Sequence, residues 1–150
     1  MPEIFVDADA CPVKPEIYRV AQRCGLRVTL VSNSRMRIPQ EDWLTLVVVD
    51  GQFDAADDWL VEHVTQNDIV ISGDIPLASR CLAKGTVVLD LRGGVFTEDN
   101  IGEALAGRDL LSHLRDLGTI TGGPAPLEKR DRSRFLQRLD AAIQAIQRNG

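Results

Sequence analysis

The sequence predicts an α/β domain: a three-layer, doubly wound, mostly parallel five-stranded sheet with helices on both faces. Two observations carry this expectation. Five short runs rich in Val, Ile and Leu alternate with segments whose apolar residues recur at helical spacing, the pattern of parallel strands joined by helical crossovers. Several of those runs also finish on an acid, as parallel strands do when they deliver polar side chains to the edge where ligands bind.

The first strand is Ile4-Phe5-Val6, which ends abruptly in Asp7-Ala8-Asp9. Pro15 suits a first helical turn, Ile17, Val20, Ala21 and Cys24 then repeat at helical spacing, and Gly25 supplies the stop. Arg27–Ser32 and Leu44–Val49 read as the second and third strands. Between them, residues 33–43 have no helical period and contain Pro39, so a loop with a short turn is expected there, carrying Arg35 and Arg37. After Gly51-Gln52-Phe53, the acids Asp54, Asp57 and Asp58 open a helix marked by Leu60, Val61 and Val64. The fourth strand, Asp68–Ser72, runs into Asp74. A short helix, Ile75–Lys84, turns Leu77, Ala78, Cys81 and Leu82 inward and stops at Gly85. Thr86–Asp90 is the fifth strand, followed by Arg92-Gly93-Gly94. Glu98–Leu117 is helical, with a break expected near Gly107. Residues 118–126 form a loop, and 127–148 a final helix that buries Phe135, Leu136, Leu139, Ile143 and Ile146. The whole chain, 1–150, reads as one domain without repeats.

Composition narrows the function classes. No apolar run approaches the roughly 18 residues of a membrane span, and no basic leader precedes the first strand, so a cytoplasmic chain without membrane contact is expected. The three cysteines are odd in number and form no C-x-x-C pair, which argues against a disulfide framework or a structural zinc site. Cys11, beside the acids, would serve as a nucleophile only with a base at hand; a core thiol is the simpler reading. A net charge of −5 argues against non-specific coating of nucleic acid. The balance is local, however: Lys129, Arg130, Arg132, Arg134 and Arg138 face only Glu128 and Asp131, so a phosphate-facing patch is expected at the start of the last helix.

The acids are the chemical signal. Asp7, Asp9, Asp74 and Asp90 all follow apolar strands that, if parallel, finish on one edge. Converging carboxylates repel, and a divalent cation relieves that; oxygen-only ligands select Mg²⁺ or Mn²⁺ over zinc. Helix capping accounts for Asp54 and Asp58, and Asp74 before Ile75 is also placed to cap. Capping explains little at Asp7 and Asp9, because Pro12 and Pro15 separate them from the first helix. Ser32 and Asn33, at the end of the second strand, and Lys14, after the Asp pair, are candidates to hold phosphate. Arg92-Gly93-Gly94 and Thr121-Gly122-Gly123 would offer backbone amides to an anion. The glycine-rich signatures of dinucleotide and P-loop sites are absent.

Val6-Asp7-Ala8-Asp9-Ala10-Cys11-Pro12, Gly73-Asp74-Ile75-Pro76-Leu77-Ala78, Asp90-Leu91-Arg92-Gly93, and Thr121-Gly122-Gly123-Pro124 with Asp131-Arg132 resemble the bacterial YaiI/YqxD family of uncharacterised proteins, over nearly the whole chain. The resemblance implies a place among PIN-like domains, the fold of many metal-dependent nucleases. In that pattern Asp7 matches the strand-end acid, Asp57 the acid opening the helix before the fourth strand, Asp74 the acid after it, and Asp90 an optional fourth ligand. Asp9 is an extra acid, and Gly73 and Pro76 around Asp74 depart from the pattern. A haloacid-dehalogenase-like phosphatase also begins with strand-Asp-x-Asp, and Ser32 fits its second motif. It usually carries another acid a few residues after the later Gly-Asp, where this chain has Ile75, Pro76, Leu77 and Ala78.

The expectation is therefore a Mg²⁺- or Mn²⁺-dependent phosphodiesterase acting on RNA. Asp7, Asp9 and Asp74 would be catalytic, and Asp7, Asp57, Asp74 and Asp90 would hold metal. Lys14, Ser32, Asn33, Arg92, Gly122, Gly123, Arg130 and Arg132 would hold phosphate. A non-catalytic module that binds a nucleotide or RNA on the same edge is the alternative from a different class. The acidic net charge and the absence of stacking aromatics favour that alternative: 5% of residues are aromatic, and Trp43, Trp59 and Phe135 read as structural.

Overall fold

The computed structural model describes residues 2–50, 54–118 and 126–149. The elements run β1 (Ile4–Asp7), α1 (Lys14–Cys24), β2 (Val28–Ser32), β3 (Leu44–Val48), α2 (Ala55–His63), β4 (Ile69–Ile71), α3 (Ile75–Leu82), β5 (Val87–Leu89), β6 (Val95–Phe96), α4 (Glu98–Asp116) and α5 (Lys129–Asn149). The sheet order is β3-β2-β1-β4-β5-β6, parallel throughout except for β6, which pairs antiparallel to β5.

The central strands β1, β2 and β4 are mainly apolar because both of their faces are covered. Ile4 and Val6 of β1 point to one face, where Leu30, Ile69 and Ile71 meet Ile17 of α1 and Phe135, Leu139 and Ile143 of α5. Phe5, between them in sequence, points to the other face and packs with Val31, Val70 and Val88 beneath Leu60 of α2 and Leu77 and Cys81 of α3. Helix α4 lies outside α3, with Ile101 against this second cluster.

The α/β class, the layers and the parallel core are those expected. The α1 start at Lys14-Pro15 and its stop at Gly25, in the left-handed region at φ 70°, also agree. Two expectations need correction. The sheet has a sixth strand, Val95-Phe96, two residues long and therefore without a periodic signal. Helix α4 runs through Gly107 unbroken, since a single glycine costs a helix about 1 kcal/mol without stopping it. No helix among the described residues is long and apolar enough to cross a membrane.

Candidate active site

The strand order reverses between β1 and β4: from β1 the sheet extends through β2 and β3 on one side, and from β4 through β5 and β6 on the other. In open α/β sheets ligands bind in the crevice at such a switch point, beyond the carboxyl ends of the strands. Asp7 is the last residue of β1, and Ser72, Gly73 and Asp74 follow β4 directly. The two rods that carry acids are thus hydrogen-bonded neighbours, and their acids share the crevice edge.

Ser72 joins them. Its side chain is 1% exposed, its hydroxyl donates to Asp7 Oδ2 (3.0 Å), and its Oγ accepts from the Asp74 backbone N–H (3.0 Å). Asp74 also caps α3, with Oδ1 accepting from Leu77 N–H (3.0 Å). Capping uses one carboxylate oxygen, which leaves the second for other chemistry. Asp57, in the first turn of α2, belongs to the same electrostatic group. Burial raises its carboxyl to about 6, and the charges of Asp74, Asp7 and Asp54 add to the rise, against the lowering by Arg80. Arg80 is itself paired with Asp58 at 3.0 Å. Burial likewise raises Asp7, opposed by the Ser72 bond and reinforced by Asp74 and Asp9.

Asp9 has a different role. It lies on a single 3-10 turn after β1 and is bound by the end of β2, accepting from the Ser32 hydroxyl and from Asn33 N–H (2.9 Å). Ser32 is fully buried, so its hydroxyl holds the β1 and β2 ends together rather than facing a phosphate. Lys14 donates to the Cys11 carbonyl (3.2 Å), closing the loop into α1. Cys11 itself is 7% exposed, and burial pushes its thiol up to about 11; a protonated, buried thiol is a core group.

Asp90 closes the β5–β6 turn. Its Oδ1 accepts from Arg92 N–H (2.8 Å) and Gly94 N–H (2.7 Å), so the amides expected to hold an external anion are occupied by this chain's own carboxylate. A Cβ on Gly94 would stand 2.5 Å from Asp90 Oδ2, which explains the glycine. Asp90→Asn keeps the acceptor oxygen. It is expected to melt within about 1 °C of the parent, whereas Asp90→Ala, which loses the acceptor for both amides, is expected to melt lower; equal melting of Asp90→Ala and the parent would show that the turn does not depend on this side chain.

The basic residues divide similarly. Arg92 pairs with Asp131 (2.8 Å), and Arg132 with Glu16 (2.6 Å) and the Pro12 carbonyl (2.9 Å). These bonds tie the start of α5 to the loops after β1 and β5. Arg130, 78% exposed, pairs with Glu128 (2.9 Å). Arg134 and Arg138 lie on the exposed side of α5. Gly122 and Gly123 lie outside the described residues. Among the described residues no group of three or more His, Cys, Asp or Glu side chains closes on one point suited to a metal ion. Sequence reasoning missed Ser72 as the link between the acids; a small hydroxyl at a strand end, two residues before an acid, was the available signal.

A family model described as "Uncharacterized BCR, YaiI/YqxD family" matches residues 5–145. A UPF0178 protein of Rhodospirillum centenum is 53% identical, with 99% of each chain covered. A UPF0178 protein of Paramagnetospirillum magneticum is 51% identical over 99% of this chain and 98% of its own, and one of Agrobacterium fabrum is 51% identical over 98% and 96%. No solved structure matches the chain. Over nearly its whole length, then, the chain belongs to the YaiI/YqxD family.

Proposed function

We propose that this chain is a PIN-like, Mg²⁺- or Mn²⁺-dependent phosphodiesterase that acts on RNA. The observation that carries the reading is the gathering of Asp7, Asp57 and Asp74 from three separate elements to the switch point, where burial and then the charge of Asp74 raise the carboxyls of the other two. A fold does not gather like charges in a half-buried crevice without cost, and a cation that binds there relieves it.

The donor set fits a hard divalent ion. All the donors are oxygens, and Mg²⁺ is commonly held by one or two carboxylates together with waters and substrate phosphate, so three converging side chains are not required. Asp7 and Asp74 would hold it, with Asp57 beside them. When bound, such an ion polarises a phosphate and lowers the pKa of a water. The chain's own residues do the positioning. The Ser72 hydroxyl fixes the Asp7 carboxylate, the Leu77 amide fixes that of Asp74, and the Asp9 bonds to Ser32 and Asn33 tie the β1 loop to the end of β2.

The test is cleavage of end-labelled single-stranded RNA by purified protein with Mg²⁺, with Mn²⁺ and with EDTA. Cleavage with either metal and none in EDTA is expected; equal cleavage in EDTA would reject a metal-dependent reaction. The Asp7-Ala8-Asp9 run at the end of β1 favours a second reading, a phosphomonoesterase with Asp7 as nucleophile. A phosphoaspartate trapped at Asp7 would replace the first reading with the second.

A further inference from the structure

The N-terminal halves of α1 and α5 border an open cleft of about 400 Å³ lined by Pro15, Glu16, Arg19, Lys129, Arg132, Ser133 and Leu136. It lies beside the switch point, because α1 begins just after the β1 loop and Arg132 is bonded to Pro12 of that loop. Glu16 is 8% exposed on a helix face otherwise occupied by Ile17, Val20 and Ala21. One of its carboxylate oxygens accepts from Arg132 (2.6 Å); the other, Oε2, is buried with no hydrogen-bond partner. A buried charged acceptor left without a donor is costly, and such a group in a native fold calls for a donor from outside the chain, a water or a ligand. Around it, neither Arg19 nor Lys129 makes an ion pair with the described residues, and both are exposed.

The lining therefore asks for two things at once. Three cations against one carboxylate call for an anion, while the open oxygen calls for a hydrogen-bond donor that brings no positive charge of its own. A hydroxyl next to a phosphate meets both demands; an ammonium or guanidinium ligand would be repelled by Arg19, Lys129 and Arg132, and a phosphate alone would leave Glu16 unsatisfied. We infer that this cleft is a ribonucleotide subsite, in which a ribose 2′-hydroxyl donates to Glu16 Oε2 and the adjoining backbone phosphate rests on Arg19 and Lys129. Glu16 Oε2 is sealed within the chain, so it meets the hydroxyl by a turn of the carboxylate about its last side-chain torsion, which is soft, and the exposed end of Arg132 shifts with it. The 2′-hydroxyl is the group that separates RNA from DNA, so the subsite would set the nucleic-acid class. The inference rests on the RNA reading of the neighbouring acidic site and names how that substrate is told from DNA.

The experiment is equilibrium binding, by fluorescence anisotropy in EDTA so that nothing is cleaved, of one short mixed-sequence strand made as RNA, as 2′-fluoro RNA and as DNA. The 2′-fluoro strand keeps the size and electronegativity of the 2′ substituent but has no proton to donate. RNA is expected to bind roughly tenfold to a hundredfold tighter than either analogue, the range for a hydrogen bond to a charged acceptor. In Glu16→Met the three strands should bind alike. The double variant Arg19→Ala, Lys129→Ala should weaken all three and flatten the salt dependence. Equal binding of RNA and 2′-fluoro RNA by the parent protein would overturn the subsite without any variant having to fold. So would a preference that persists in Glu16→Met. If that preference is absent while metal-dependent cleavage stands, only the subsite fails; if it is present while cleavage ignores metal, the phosphodiesterase reading fails and the subsite stands.

Discussion

Asp7→Asn and Asp74→Asn are each expected to lower metal-dependent RNA hydrolysis by roughly 10²-fold or more, the scale on which removal of one preorganised electrostatic group acts. The substitutions are chosen so that the fold survives. In Asp7→Asn the new amide oxygen would still accept from the Ser72 hydroxyl, as Asp7 Oδ2 does now. Asparagine caps a helix about as well as aspartate, so Asp74→Asn keeps the Leu77 N–H bond at the start of α3. What each variant loses is a negative charge at the switch point. Initial rates on end-labelled RNA, set against urea melts of the same preparations, separate the two effects. Rates within a few fold of the parent would remove these acids from the chemistry.

The second large effect is on stability, and its sign is opposite to that of most substitutions. The Asp57 carboxyl rises from its ordinary 3.8 to about 6, through burial first and then through Asp74, Asp7 and Asp54, with Arg80 opposing. The folded chain thus holds a proton at this site between pH 4 and 6 that the unfolded chain releases. Stability is full below about pH 4, falls as pH rises through that window, and stays reduced above about 6. Asp57→Asn removes the charge that causes the loss. In EDTA at pH 7.5 it is expected to raise Tm by roughly 1–4 °C, a modest gain because the group is well screened by solvent. At pH 4 the gain should vanish. A Tm lowered at pH 7.5, or raised equally at both pH values, would show that repulsion within this group is not what limits stability there.

Most of the fold was legible because its signals are local. Strands β1, β2 and β4 are buried on both faces and so read as mainly apolar runs, and Gly25 marks the end of α1 because only a left-handed residue continues the chain there. Strand β6 was not legible: two residues carry no period, and their pairing depends on a turn closed by the Asp90 side chain. The same limit applied to the site. Asp7 and Asp74 announced themselves at strand ends, whereas the burial of Ser32 against Asp9 and the link from Ser72 to Asp7 join residues 23 and 65 apart in sequence. Arg132 shows the limit most plainly. It read as a phosphate ligand from the charge run around it, yet its guanidinium is held by a carboxylate 116 residues away, on a helix whose apolar pattern concealed a buried glutamate.

If Asp7 and Asp74, with Asp57 beside them, hold a divalent cation, a thermal melt across Mg²⁺ and Mn²⁺ to millimolar concentration, made on the parent chain, Asp7→Asn and Asp74→Asn, detects it without knowledge of the substrate. An ion that binds only the folded chain raises its melting temperature, by the equivalent of about 2.7 kcal/mol at a hundred times the dissociation constant. A rise in the parent that disappears in both variants is the expected result. A parent chain that melts at the same temperature at every metal concentration, or a rise that both variants retain, would contradict a metal site at the switch point.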